Sequence, residues 1–266
     1  MNRAILPVLL FVSSLTAAQI IQKSAPGNQD LTPQQTQAIV KLANLQKNFG
    51  KSMNSPGVDV VLKEVSRARR SDRTLVKYEL YTTGLPNDQV YTLFQVQING
   101  SVLKLLEGVT LDGQGKAICA GRKGTCTGSG PNDPVDLVFY AGKSEPKRIS
   151  IISNDEPHLQ GFISVIPFPN STTAGGCRLE SILGMPKGEV TYIQGAGFAP
   201  GEELTVDTES YAEKIHSVDH AEADGSYFAT TLPNVLGKKA GTTVWSVRGM
   251  NCHPSLTFSW GTYQLE

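Results

Sequence analysis

Residues 195–206 read Gly195-Ala196-Gly197-Phe198-Ala199-Pro200-Gly201-Glu202-Glu203-Leu204-Thr205-Val206, and residues 223–228 read Ala223-Asp224-Gly225-Ser226-Tyr227-Phe228. Glycine and proline in the first segment predict a turn, and the alternation that follows it predicts a strand. Asp-Gly in the second segment is typical of a hairpin turn. Both segments therefore indicate antiparallel β-structure.

A weaker copy of this pattern lies in the first half of the chain. It reads Gly84-Leu85-Pro86-Asn87-Asp88-Gln89-Val90-Tyr91-Thr92-Leu93, and Asp112-Gly113 follows it. The interval from Gly84 to Asp112 nearly equals that from Gly197 to Asp224. A chain of 266 residues also suits two domains of about 100 to 150 residues each. We therefore expect two tandem sandwiches and not one large one.

The second half of the chain predicts seven short strands separated by turn residues. They are expected at residues 177–183, 189–194, 203–211, 214–221, 226–232, 242–248 and 255–260. Seven strands in roughly a hundred residues match an immunoglobulin-like sandwich. Apolar residues alternate with polar ones up to Trp260 in the last strand, so we expect Trp260 in the core, together with Trp245.

The first half predicts about eight strands, among them residues 58–65, 76–80, 94–98, 102–106, 135–140, 149–152 and 159–166. Asn99-Gly100 predicts a hairpin between two of them. Prolines and a Gly-Gly pair interrupt the pattern at residues 167–176. The expected domains are therefore a first β-sandwich at 57–168 and a second, immunoglobulin-like β-sandwich at 169–266.

The N-terminal region predicts a signal peptide at residues 1–18, followed by a polar linker or short helix at 19–56. Within 19–56, Thr32, Pro33 and Gln35 form a helix start with a capping box. The apolar residues Ile39, Leu42, Leu45 and Phe49 would share one face before Gly50 ends the helix. Two interpretations stay open: a frayed segment, or a helix that docks on a partner or on the first sandwich.

The signal peptide predicts an exported protein, periplasmic or extracellular, without an integral membrane segment. Four cysteines in an exported chain predict two disulfides, for which three pairings exist. We favour Cys119 with Cys126 and Cys177 with Cys252, because each pair then lies within one copy of the repeat.

Charge and motifs exclude several functions. Lysine plus arginine and aspartate plus glutamate each number 24, so no net field attracts nucleic acid or an anionic membrane. The sequence contains neither a G-x-S-x-G nor an H-E-x-x-H motif. Gly142-Lys143-Ser144 lacks the glycine spacing of a phosphate-binding loop. We predict no catalytic residue, cofactor or metal site.

Two groups of residues are weak candidates for a ligand site. His216 and His220 would lie on one side of a strand, but about 13 Å apart, which is too far for one metal ion. Asp155, Glu156 and His158 lie in a tight polar turn that presents carboxylates to a sugar or a calcium ion, or simply joins two strands.

A basic cluster is predicted near an edge of the first sandwich. It comprises Lys63, Arg67, Arg69, Arg70 and Arg73. Charge on an edge strand commonly prevents sheet-to-sheet association, so a solvated edge is favoured over a polyanion site.

The segments at 195–206 and 224–228 resemble the immunoglobulin-like domains of many exported bacterial proteins, in which a G-x-G-F-x-P-G-E turn precedes one strand and D-G-x-F another. The similarity covers about residues 177–260 and the first copy only loosely. It implies a spacer, an adhesion module or a carbohydrate- or protein-binding unit, and it carries over no site residue. The leading hypothesis is a non-enzymatic binding or structural module with an unknown protein or carbohydrate ligand. The alternative is an enzyme or enzyme inhibitor with its site in loops or in the groove at 167–176.

Overall fold

The computed structural model describes residues 21–22, 32–69, 73–120, 126, 130 and 132–262. The predicted signal peptide at residues 1–18 lies outside this part. The first described element is a two-residue strand, β1 (Ile21–Gln22). One helix, α1 (Pro33–Asn48), and a 3₁₀ turn at Lys51–Met53 follow it. The rest is antiparallel β-structure in two sandwiches, as the alternating sequence predicts.

The first sandwich consists of two facing sheets. Its strands are β2 (Asp59–Arg69), β3 (Arg73–Thr83), β4 (Tyr91–Val96), β5 (Val102–Leu111), β6 (Ala117–Cys119), β7 (Asp136–Gly142), β8 (Lys147–Ser153) and β9 (Gln160–Val165). One sheet has the order β2-β3-β7 and the other β6-β5-β4-β8-β9. Val76 and Leu80 of the first sheet and Leu93, Ile149 and Ile151 of the second belong to one core, and each is 0% exposed.

The hairpin predicted at Asn99-Gly100 joins β4 to β5. The backbone N–H of Gly100 donates to the carbonyl of Gln97 at 2.9 Å, and the N–H of Gln97 donates to the carbonyl of Ser101 at 2.8 Å. The turn therefore begins at Gln97, and β4 ends two residues before the predicted strand does.

The second sandwich also has two sheets. Its strands are β10 (Asn170–Ala174), β11 (Cys177–Leu183), β12 (Thr191–Ala196), β13 (Glu203–Ser210), β14 (Glu213–His220), β15 (Tyr227–Thr231), β16 (Gly241–Arg248) and β17 (Ser255–Trp260). The sheets have the orders β1-β15-β12-β11-β10 and β14-β13-β16-β17. Trp245 and Trp260 are each 1% exposed, which confirms both as core residues.

The residues of the segment at 195–206 have structural roles in the second sandwich. Gly197 has φ +89° and Gly225 has φ +77°, conformations that favour glycine. A Cβ on Gly225 would overlap the carbonyl oxygen of Phe198. The ring of Phe198 is buried and meets that of Tyr227 at 6.2 Å between centroids. The Asp224-Gly225 hairpin thus closes directly over the turn that carries Phe198.

Strand β10 is one feature that the sequence does not predict. It lies inside residues 167–176, which we expect to interrupt the strands, and it pairs antiparallel with β11. Its sequence, Asn-Ser-Thr-Thr-Ala, is polar at nearly every position. An edge strand of this kind has no apolar alternation, so only its backbone pairing reveals it.

Helix α1 starts as predicted. Thr32 is the N-cap, Pro33 lies in the first turn, and both bonds of the capping box with Gln35 are present. It ends at Asn48, just before Gly50 as expected, with Phe49 as the C-cap. The expectation for its packing needs correction. The buried residues are Ile39, Ala43 and Gln46, whereas the predicted neighbours Leu42, Leu45 and Phe49 are only partly buried.

The helix docks on both sandwiches. Its contact with the first, which the sequence offers as one interpretation, includes the ring of Phe49 at 5.5 Å from that of Phe162 between centroids; its contact with the second is not predicted. Ile39 and Ala43 belong to one cluster with Ile182, Tyr192 and Leu232 on the outer face of the second sandwich. That sheet is apolar on both faces, a property that period-two alternation does not reveal. No helix among the described residues is long and apolar enough to cross a bilayer.

Both disulfides have the pairing that the sequence favours. Cys119 is bonded to Cys126 with a Cα–Cα distance of 5.4 Å, and Cys177 to Cys252 with 5.9 Å. Cys177 begins β11 in one sheet, and Cys252 lies just before β17 in the other. The second bond therefore links the two sheets of the second sandwich.

Candidate functional site

The two histidines predicted as weak ligand candidates lie on β14, an edge strand of the second sandwich. Nδ1 of His216 is 2.8 Å from Oδ1 of Asp207, and both side chains are exposed. His220 is paired in register with Glu203. Each histidine thus has its own carboxylate neighbour. No group of three or more His, Cys, Asp or Glu that could hold a metal ion occurs among the described residues.

A row of polar side chains crosses this sheet from His216. In register, His216 is followed by Asp207, then Ser246, then Ser255. The hydroxyl of Ser246 donates to that of Ser255 at 2.8 Å. A catalytic triad needs the histidine between nucleophile and carboxylate. Here Asp207 separates His216 from Ser246, so this row does not form a triad.

Asp155, Glu156 and His158 lie in the turn between β8 and β9, next to Ser153. The hydroxyl of Ser153 accepts a bond from the backbone N–H of Leu159 at 2.9 Å. Nδ1 of His158 is 3.0 Å from the carbonyl of Ser153, and Nε2 is 3.0 Å from the carboxylate of Glu156. These contacts hold the turn together. A ligand at the exposed carboxylates of Asp155 and Glu156 stays a prediction.

Of the basic cluster, Lys63, Arg67 and Arg69 lie on β2, and Arg73 is the first residue of β3. Strand β2 is an edge strand of its sheet. Arg67 forms an ion pair with Glu64, which lowers the pKa of the Glu64 carboxyl, and also donates to the carbonyl of Pro167. Lys63 lies 3.7 Å from the ring centroid of Tyr81. These cations are engaged by their own neighbours. Arg70 lies outside the described residues.

A buried junction joins both sandwiches to α1, and of it the sequence offers only the docking of α1 on the first sandwich. The side chain of Arg148, on β8, is 1% exposed. Its Nε and Nη2 donate to Oε1 of Gln46 on α1, and its Nη1 donates to the carbonyl of Gln97 at 3.2 Å. Burial lowers the pKa of Arg148 to about 10. The signal that could have revealed it is an arginine directly before the apolar residues Ile149, Ile151 and Ile152 of the same strand.

Tyr192, on β12, is a residue of the second sandwich that lies near Arg148 at this junction. Burial raises the pKa of its hydroxyl to about 12, and the nearby charge of Arg148 opposes that rise. The hydroxyl has no hydrogen-bond partner among the described residues.

The Gly142-Lys143-Ser144 segment is a second contact between the sandwiches. The backbone N–H of Leu183 donates to the carbonyl of Ser144 at 2.9 Å, and the hydroxyls of Ser144 and Ser181 are 2.8 Å apart. Ser144 is buried at 4% exposure. The segment serves packing between sandwiches.

A polar cavity of about 230 Å³ lies beside this contact, in the groove that the sequence offers as an alternative site. The amide of Asn170 donates there to the hydroxyl of Ser181 and to the carbonyl of Thr257, both at 2.9 Å. The described residues that line it include no carboxylate and no histidine. The cavity thus presents hydroxyl, amide and ammonium groups, and no acid–base pair comes from this part of the chain.

A larger groove of about 540 Å³ opens beside the N-terminal half of α1. Its walls are the N-terminal half of α1, the segment at residues 185–190, the loop at residues 232–239, and Trp260 with Gly261 at the end of β17. The floor includes the buried residues Ile39, Val190 and Leu232. The sequence does not predict this groove, because its walls come from four separate parts of the chain.

Comparison with known proteins gives no family. No protein-family model matches the sequence, and no curated protein matches it. A solved tetra-tandem repeat from the extending region of a large adhesion protein is 11% identical, with a TM-score of 0.23 over 76% of this chain and 48% of its own. A two-domain fibronectin type III segment from chicken tenascin is 10% identical, with a TM-score of 0.21 over 76% and 98%. The chain thus spans about half of the first structure, and neither comparison assigns it a ligand.

Proposed function

We propose that the chain is an exported, non-enzymatic binding or structural module of the cell envelope or extracellular space, in which two β-sandwiches are held in one fixed arrangement. The predicted signal peptide supports export. The two disulfides support it as well, because such bonds persist in oxidising compartments. In the leading hypothesis the ligand is a protein or a carbohydrate.

The observation that carries the proposal is the buried junction at Arg148. The guanidinium belongs to the first sandwich, its acceptor Gln46 to α1, and α1 packs on the second sandwich. If the sandwiches separated, either Arg148 would lose Gln46 as its acceptor, or α1 would stay with the first sandwich and expose the apolar face that packs on the second. The two sandwiches therefore favour one relative orientation. A fixed pair of this kind suits a spacer or a rigid platform.

The non-enzymatic part is tested with purified protein and a panel of ester, glycoside, phosphoester and peptide substrates. We expect no turnover above the uncatalysed rate. Turnover that copurifies with the protein, and that falls when His216 or Asp155 is changed to alanine, would replace this proposal with the enzyme alternative.

A further inference from the structure

The groove beside α1 has the size of a small-molecule site. Its volume of about 540 Å³ lies within the range of about 300 to 1,000 Å³ that is usual for ligand pockets. It is open to solvent along the loop at 232–239, where Leu236 is 64% exposed. A ligand could therefore enter without any movement of the sheets.

The floor of the groove is apolar. Ile39, Val190, Leu232 and Val235 line it and are each less than 9% exposed, and Met185 adds a partly buried thioether side chain. Burial of apolar surface is worth roughly 25 cal/mol per Å². A sugar on this floor would lose hydrogen bonds to water and gain few in return. The floor therefore suits a hydrocarbon chain better than a carbohydrate.

The rim of the groove carries positive charge. Lys187, Lys238 and Lys239 line it, and among the described lining residues the one carboxylate is that of Glu189. Oε2 of Glu189 accepts a bond from the backbone N–H of Lys187 at 3.2 Å. Nζ of Lys238 lies 5.0 Å from the ring centroid of Tyr211. Lys238 and Lys239 alone outnumber this one carboxylate in a chain with no net charge, and the pair is complementary to an anionic ligand.

We propose that this groove binds a linear amphipathic carboxylate, with its acyl chain on the apolar floor and its carboxylate held by Lys238 and Lys239. The inference rests on the proposed binding role and adds to it a ligand class other than the protein or carbohydrate named there. It does not depend on the fixed arrangement of the sandwiches, because α1 supplies Ile39 alone of the four buried floor residues.

The test is calorimetric titration of the full chain with decanoate. We expect saturable binding that weakens at least tenfold in the variant Lys238→Gln/Lys239→Gln. The matched control Lys41→Gln/Lys51→Gln removes two exposed lysines outside the groove and should leave the affinity unchanged. Ala38→Trp adds bulk at an exposed lining residue and should also weaken binding.

Titration with decanol, which has the same hydrocarbon chain as decanoate but no charge, isolates the contribution of the carboxylate. We expect it to bind the unaltered protein and the Lys238→Gln/Lys239→Gln variant equally, because the floor is the same in both. The proposal is overturned if decanoate does not bind, or if its affinity is unchanged in both Lys238→Gln/Lys239→Gln and Ala38→Trp. Either result would contradict the ligand proposal and leave the proposed non-enzymatic module unaffected. Turnover in the substrate panel would contradict the non-enzymatic proposal and would say nothing about binding in the groove.

Discussion

Nε of Arg148 donates to Oε1 of Gln46 at 2.8 Å, although 102 positions separate the two residues in sequence. Both side chains are buried, and Nη2 of the same guanidinium donates to the same oxygen. One amide oxygen on α1 thus accepts two bonds from a cation of the first sandwich. This relationship sets how the helix sits against that sandwich.

Replacing Gln46 by alanine should destabilise the protein by about 2 to 4 kcal/mol, because a buried guanidinium loses the acceptor of two of its bonds. Urea unfolding measures the change. Gln37 on the same helix is exposed, and Gln37→Ala should cost less than about 0.5 kcal/mol. Gln46→Glu supplies a carboxylate and should retain most of the stability. Equal losses in Gln46→Ala and Gln37→Ala would show that the junction does not contribute.

Two glycines of the 195–225 region should differ in how much their replacement by alanine lowers the free energy of unfolding. Gly225 has φ +77°, and a Cβ there would meet the backbone of Phe198, so Gly225→Ala should cost about 2 to 4 kcal/mol. Gly201 has φ +70°, but a Cβ there would have nothing within 4 Å, so Gly201→Ala should cost only about 1 to 2 kcal/mol. Thermal or urea unfolding of the pair checks the order. The reverse order would contradict the close approach at Phe198.

The two disulfides should differ in their contribution to stability. Cys177 and Cys252 are 75 residues apart and Cys119 and Cys126 only 7, which gives about 4.5 and 2.5 kcal/mol in the chain-entropy description. The variants Cys177→Ser/Cys252→Ser and Cys119→Ser/Cys126→Ser, compared by urea unfolding, test the difference. A larger loss from the short loop would contradict it.

Replacing Asp219 by asparagine should raise the free energy of unfolding by an amount that depends on pH. Burial raises the pKa of its carboxyl, and the backbone N–H of His220 opposes that rise. Above the folded-state pKa the carboxylate is charged in both states, so the folded state bears the cost of burial. Asp219→Asn should therefore stabilise the protein at pH 7, because asparagine carries no charge to desolvate.

This gain should shrink as the pH falls through the raised pKa and vanish below about pH 3.9, the pKa of an unfolded aspartate. Urea unfolding at a series of pH values measures it. Asp155→Asn, at an exposed turn position, serves as the control and should show little gain at any pH. A loss of stability in Asp219→Asn at pH 7 would contradict the assignment.

Local sequence patterns predict most of the strands but little of what joins them. Leu256, Phe258 and Trp260 alternate with polar neighbours, and all three are buried as that alternation requires. Strand β10 carries no apolar alternation, so nothing in its own sequence marks it. The contact of Arg148 with Gln46 joins distant parts of the chain, as do the walls of the groove. Such contacts depend on how the sandwiches pack, which no local period encodes.

The central claim is that the two sandwiches form one fixed body. Spin labels at Lys104→Cys on β5 and Lys214→Cys on β14 place one probe on each sandwich at an exposed lysine, and the four native cysteines are all disulfide-bonded. Electron–electron distance measurements should give one narrow distribution, which broadens when Gln46→Ala is added. A broad or multiple distribution in the otherwise unaltered protein would contradict the claim.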